Sequence, residues 1–154
     1  MSVCKIETFK EQVGADKRLI GLDVGKKTIG LATCDLAWKV ATPHSILWRR
    51  KFTTDMEELF QMIDDEANIG GMVIGWPLNM DGSAGPRCDS IRDFTYALLR
   101  LRDYPVLFQD ERMSTQAVER SMIDADMTRA KRHVRRDALA ATWILQSALD
   151  QMDG

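Results

Sequence analysis

The sequence predicts an α/β domain: a mixed five-stranded sheet, an antiparallel meander plus parallel strands, with helices on both faces. Three observations predict it. Two apolar, β-branched runs, 18–24 and 28–34, are separated only by the turn Gly25-Lys26-Lys27, as in a hairpin. Two further short apolar runs, 72–75 and 105–109, alternate with segments of helical period, the order expected of parallel strands with crossover helices. The 154 residues are 45% hydrophobic and 29% charged, an ordinary composition at the length of one domain.

The elements follow in order. Residues 1–17 read as a polar N-terminal extension carrying Lys5, Glu7, Lys10, Glu11 and Asp16, without the apolar core of a secretory signal. A single domain is expected over 18–151. After the hairpin, a third strand is expected over 38–48. Thr54 with Glu57 reads as a capping box, and Met56, Leu59, Phe60, Ile63 and Ala67 then share one helical face. Gly70-Gly71 is expected to end that helix. A buried strand over 72–75 leads into a turn-rich loop from Trp76 to Gly85. Pro86 suits the first turn of the next helix, with Ile91, Phe94 and Leu98 inward. A fifth strand follows over 105–109, Ser114 or Thr115 caps a helix to about Asp124, and a last helix is expected over 135–151.

Composition excludes several functions. No apolar run reaches the roughly 18 residues of a membrane span, so no membrane partner is expected and the default location is cytoplasmic. Cys4, Cys34 and Cys88 are odd in number and widely spaced, and only His44 and His133 could join them. That argues against a disulfide framework and against a zinc cage. A net charge of −2 is not the footprint of a nucleic-acid binder, which would need local basic patches.

Against this background the acidic residues stand out. Asp23 lies in the run Leu19-Ile20-Gly21-Leu22-Asp23-Val24, sharing a face with Leu19 and Gly21. A carboxylate inside a buried strand needs a compensating charge, and a divalent cation is a strong one. Asp110 and Glu111 close the fifth strand, where ligands gather in open α/β sheets. Alternation does not choose between these two. Asp137 opens the expected last helix on a stripe with Ala141, Ile144 and Ala148. A helix-N-terminal Asp is also favoured by the dipole alone. Together the three sites suit two hard cations, Mg²⁺ or Mn²⁺, acting on a phosphodiester.

Basic residues give the second signal. Arg129, Lys131, Arg132, Arg135 and Arg136, with His133, cluster around the expected start of the last helix, where the dipole disfavours them. They suit a phosphate-backbone clamp, which Lys26, Lys27 and the run Arg49-Arg50-Lys51 could extend. Asn79 could contact a phosphate from the 76–85 loop, and Arg112 follows the acidic pair.

Four motifs carry a resemblance. Leu22-Asp23-Val24-Gly25 with Ile29-Gly30, Gly75-x-Pro77-Leu78-Asn79-Met80-Asp81-Gly82, Asp110-Glu111-Arg112-x-Ser114-Thr115 and Asp137-x-x-Ala140-Ala141-x-x-Ile144-Leu145 together resemble the YqgF/RuvX family over about residues 18–149. The resemblance implies an RNase H-like fold related to RuvC-type junction resolvases. It implies a divalent-metal nuclease site on Asp23, Glu111 (or Asp110) and Asp137. The implied substrate is pre-16S rRNA, cut in its 5′-end maturation, with the assembling small ribosomal subunit as a possible partner and the chain a monomer or homodimer. A Holliday junction resolvase acting on branched DNA is the alternative, and a non-catalytic RNA-binding assembly protein the second. Thr28 stands where the family often has Arg, Trp76 where it has Leu, and Arg136 where it has an apolar residue. A two-domain sugar-kinase-like ATPase shares the Asp-x-Gly turn but needs more chain than 154 residues.

Overall fold

In the computed structural model the chain runs β1 (Val3–Cys4), α1 (Ile6–Val13), β2 (Arg18–Val24), β3 (Thr28–Cys34), β4 (Ala41–Trp48), α2 (Phe52–Asp65), β5 (Ile69–Trp76), α3 (Pro86–Leu101), β6 (Val106–Asp110) and α4 (Arg129–Asp153). The structure describes residues 3–111 and 129–153, with α4 described by its backbone alone over 129–137. Among the described residues no helix is long and apolar enough to cross a membrane.

The strands form one sheet in the order β1-β6-β5-β2-β3-β4. β2, β3 and β4 are the expected antiparallel meander, and β5 and β6 add parallel on the other side of β2. This is the mixed α/β sheet expected, with one strand more than expected. Val3 and Cys4 pair parallel with Val106 and Leu107 at the sheet edge. The segment expected as a polar extension is thus structured. Its helix buries Phe9 and Val13, and these join the core beneath α4.

Strand alternation sorts the two cores. Ile20, Leu22 and Val24 face the core shared with Met56, Leu59 and Ile63 of α2 and Ile91, Phe94 and Leu98 of α3. Leu19 faces the opposite core, with Ala141, Ile144, Leu145 and Ala148 of α4. Gly21 faces the same way. A Cβ there would lie 2.9 Å from Leu145 Cβ and 3.1 Å from the Ala141 carbonyl oxygen, so α4 rests directly on the backbone of β2.

Three boundaries differ from expectation. α2 begins at Phe52, so Thr54 and Glu57 lie inside it and no side chain caps its N-terminus. Buried Asp55 instead accepts the Arg50 N–H at 2.9 and 3.1 Å, which satisfies its carboxylate. The helix ends at Asp65, and Asn68 turns the chain at a φ of 66°, so Gly70 and Gly71 belong to β5. Most consequential is α4. It starts at Arg129 rather than about Arg135, so the basic run lies inside the helix. Asp137 then sits just over two turns from its start, beyond the reach of the helix dipole. The helix expected from Ser114 or Thr115 lies outside the described residues.

Candidate active site

Asp23 is the penultimate residue of β2 and is half-buried. Its partner on β3 is Gly30, which has no side chain to crowd it. On the other flank the last registered pair with β5 is Leu22 with Ile74, which leaves Asp23 beside Gly75. β6 ends level with this point, Asp110 pairing with Trp76. The next residue, Glu111, turns inward: its N–H donates to the Trp76 carbonyl at 3.2 Å.

The Glu111 carboxylate then folds over Gly75. A Cβ at Gly75 would overlap Glu111 Oε2 and lie 2.7 Å from Ile144 Cδ1 of α4. Gly75 is therefore the space in which the carboxylate lies, walled by α4. Sequence reasoning read Gly75 as the end of a buried strand and the first residue of a family motif, not as space for a carboxylate. Gly75→Ala is expected to displace Glu111, with a stability loss of about 1–3 kcal/mol from overpacking. Cleavage should fall on the order of a hundredfold from ångström-scale misplacement. A urea midpoint and cleavage rate equal to the parent's would refute that role.

The electrostatics distinguish the two neighbouring carboxylates. Burial, and then the negative charge of Asp23, push the Glu111 carboxyl from 4.5 up to about 7, with Asp110 adding to this and Arg87 opposing it. Glu111 thus belongs with Asp23, while Asp110 lies exposed on the rim. Arg87, in the first turn of α3, is a second residue the sequence reading missed; its only signal was its place beside Pro86 at a helix start. Asp137 lies on the α4 stripe whose Ala141, Ile144 and Ala148 are buried against the sheet, and its side chain is outside the described residues.

The donors fit a hard divalent cation. Two half-buried carboxylates, the charge of Asp23 raising the proton affinity of Glu111, are stabilised by a cation, and all-oxygen donors suit Mg²⁺ or Mn²⁺ rather than zinc. Among the described residues no three His, Cys, Asp or Glu side chains converge on one point, and Asp137 is not among the side chains described.

The basic candidates divide. Lys26 and Lys27 are exposed in the β2–β3 turn, closed by Gly25 N–H donating to the Thr28 carbonyl at 2.8 Å. Asn79 is engaged in its own loop: its amide donates to Ser83 Oγ at 3.0 Å and its backbone N–H to the Ser83 carbonyl at 2.9 Å. These bonds hold Asn79 within its loop. Arg112 lies outside the described residues, as do the side chains of Arg129, Lys131, Arg132, Arg135 and Arg136 on α4.

The RuvX family model, described as a Holliday junction resolvase, matches residues 17–151. This chain belongs to the RuvX family. The RuvX chain is 49% identical over 154 residues to a protein of Rhodospirillum rubrum named "Putative pre-16S rRNA nuclease", covering 99% of this chain and 95% of that one. A relative of the same name from Phenylobacterium zucineum is 51% identical over 136 residues, 87% of this chain and 86% of the relative. Among solved structures, RuvC of Thermus thermophilus in complex with a Holliday junction substrate matches 88% of the RuvX chain and 96% of its own at 11% identity and a TM-score of 0.48.

Proposed function

We propose that this chain is a metal-dependent endonuclease that hydrolyses phosphodiester bonds in the 5′-end maturation of pre-16S rRNA. The observation that carries the chemistry is Glu111 folded over Gly75 and electrostatically coupled to Asp23. The name shared by its relatives supports the substrate. Asp23, Glu111 and Asp137 would hold the metal, one or two Mg²⁺ or Mn²⁺ ions. Bound there, such ions activate a water and stabilise the departing oxygen.

The chain's own residues do the rest. Asp23 near the end of β2 and Glu111 just beyond β6 lie near enough for the charge of one to act on the other. Without a cation Glu111 takes up a proton as the pH falls through about 7, which spares the site two adjacent half-buried charges. Ile144 walls the carboxylate on the α4 side and limits water there. Lys26, Lys27, Arg112 and the α4 run Arg129, Lys131, Arg132, Arg135 and Arg136 supply positive charge for the phosphate backbone. Neutralising Arg132 and Arg135 together is expected to weaken RNA binding and lower its log–log salt slope by about 1.4–1.8, two phosphate contacts' worth. An unchanged slope would remove the clamp.

The deciding experiment incubates the protein with a 5′-extended pre-16S rRNA fragment and with a four-way DNA junction, each with Mg²⁺, Mn²⁺ or EDTA. Metal-dependent cutting of the RNA alone supports the proposal. Symmetric nicking of the junction alone supports the second reading, a resolvase, which the family description favours and which requires a homodimer. Binding without cutting of either supports a non-catalytic assembly protein. The rRNA role would place the chain in the cytoplasm with the assembling small subunit.

A further inference from the structure

Beside the carboxylates a cleft of about 280 Å³ opens between the β2–β3 turn, the end of β4 and the first turns of α3. Val24 and Ile91 line its apolar side, and Lys26, Arg49, Arg87 and Ser90 its polar side. The cations come from three separate elements. Arg49 is fixed in place. Its Nη1 donates to the Gly25 carbonyl at 2.6 Å, its backbone N–H to the Lys27 carbonyl at 2.8 Å, and its guanidinium lies 5.4 Å from the Phe94 ring centre. These contacts orient the guanidinium without neutralising it.

The ion pairs Arg18–Glu66, Lys39–Asp153, His44–Glu66, Arg92–Asp89 and Arg102–Asp64 take up none of Lys26, Arg49 and Arg87, and the charge of Arg87 also acts on Glu111. Asp89, the acid nearest to Arg87 in sequence, is tied to Arg92 at 3.2 Å. Three like charges around one concavity repel each other, and an anion between them removes the repulsion. A fixed guanidinium beside a hydroxyl matches the oxygens of a phosphodiester. The cleft is also registered to the carboxylates: Arg49 holds Gly25, two residues beyond Asp23, and Arg87 acts on Glu111.

Building on the nuclease reading, we infer that this cleft binds one phosphodiester of the substrate strand at a linkage neighbouring the one that is cut. Lys26, Arg49, Arg87 and Ser90 hold it, and Arg49 and Arg87 act as positioning residues. Filling the cleft sets which linkage reaches Asp23 and Glu111.

The test measures binding in EDTA, where cutting is excluded. The ligands are 5′-extended pre-16S RNA fragments in which a single neutral methylphosphonate, flanked by 2′-O-methyl nucleotides, is moved one linkage at a time. The parent protein is expected to lose about tenfold in affinity at one linkage away from the cut. Arg87→Ala is expected to weaken binding to the unmodified RNA about tenfold, to lower the log–log salt slope by roughly 0.7–0.9, and to show no further loss at that same linkage. Arg87→Lys is expected to recover the slope. The inference is overturned if Arg87→Ala matches the parent in affinity and slope, or if its loss adds to the methylphosphonate loss at every linkage. In those cases parent cleavage of the unmodified RNA in Mg²⁺ leaves the nuclease reading intact. A parent protein that neither binds nor cuts nucleic acid sinks both.

Discussion

Glu111→Gln is expected to stabilise the metal-free protein above neutral pH while abolishing cleavage. In the unfolded chain Glu111 titrates near 4.5, and in the folded protein near 7, chiefly because it is buried and then because Asp23 is charged. Below the lower value both states carry the proton and the site costs nothing extra. Between the two, the folded state binds a proton that the unfolded state has released, so stability falls as pH rises. Above the upper value the loss is complete, on the order of 3 kcal/mol. The Gln variant cannot ionise, so its unfolding midpoint should stay level across the window in which the parent's declines. Mg²⁺ or Mn²⁺ should restore the parent's stability above pH 7 and leave the variant's unchanged. Parallel pH profiles for the two proteins would exclude a raised Glu111. The site therefore trades stability for chemistry.

The second large effect belongs to Asp23→Asn. It removes one carboxylate from the proposed metal site, and cleavage should drop by roughly 10²–10³-fold, the scale on which single electrostatic groups act in catalysis. It also removes the second-largest cause of the Glu111 shift. The Glu111 carboxyl should therefore titrate lower than in the parent yet above its ordinary range, since burial, the largest cause, remains. A carboxyl-carbon NMR titration of both proteins reads this directly. An unmoved Glu111 would show that the two carboxylates do not interact. Nucleic-acid binding in EDTA should survive, because the basic residues are untouched.

How much of this was legible in the sequence depended on which force decided each element. The β2–β3 hairpin was, because each strand buries its two faces in different cores and period-two alternation records that in residue order. The same alternation put Asp23 on the α4 side. Pro86 marked the α3 start through its own backbone chemistry. The α4 start was misread because six basic residues oppose the helix dipole. That penalty is about 0.3–1 kcal/mol per charge within the first turn alone, while Arg, Lys and Ala have high helix propensity, and propensity won. β1 was invisible because two residues cannot show a period. Asp110 and Glu111 were indistinguishable because alternation stops where β6 stops. A hydrogen bond to Trp76 then turns Glu111 inward, and that contact is made across the sheet rather than along the chain.

The bare backbone at Gly21 has a mechanical consequence. With no side chain at Gly21 between β2 and α4, the helix cannot glide along its axis without driving Leu145 or the Ala141 carbonyl into the strand. Its axial position is indexed to the sheet as a key is to its slot. The backbone of Asp137, one turn from Ala141, inherits that index. The outward side of α4, where Trp143 is 39% exposed, is correspondingly open to redesign, and tags or chain extensions beyond Asp153 should leave the spacing of the site undisturbed.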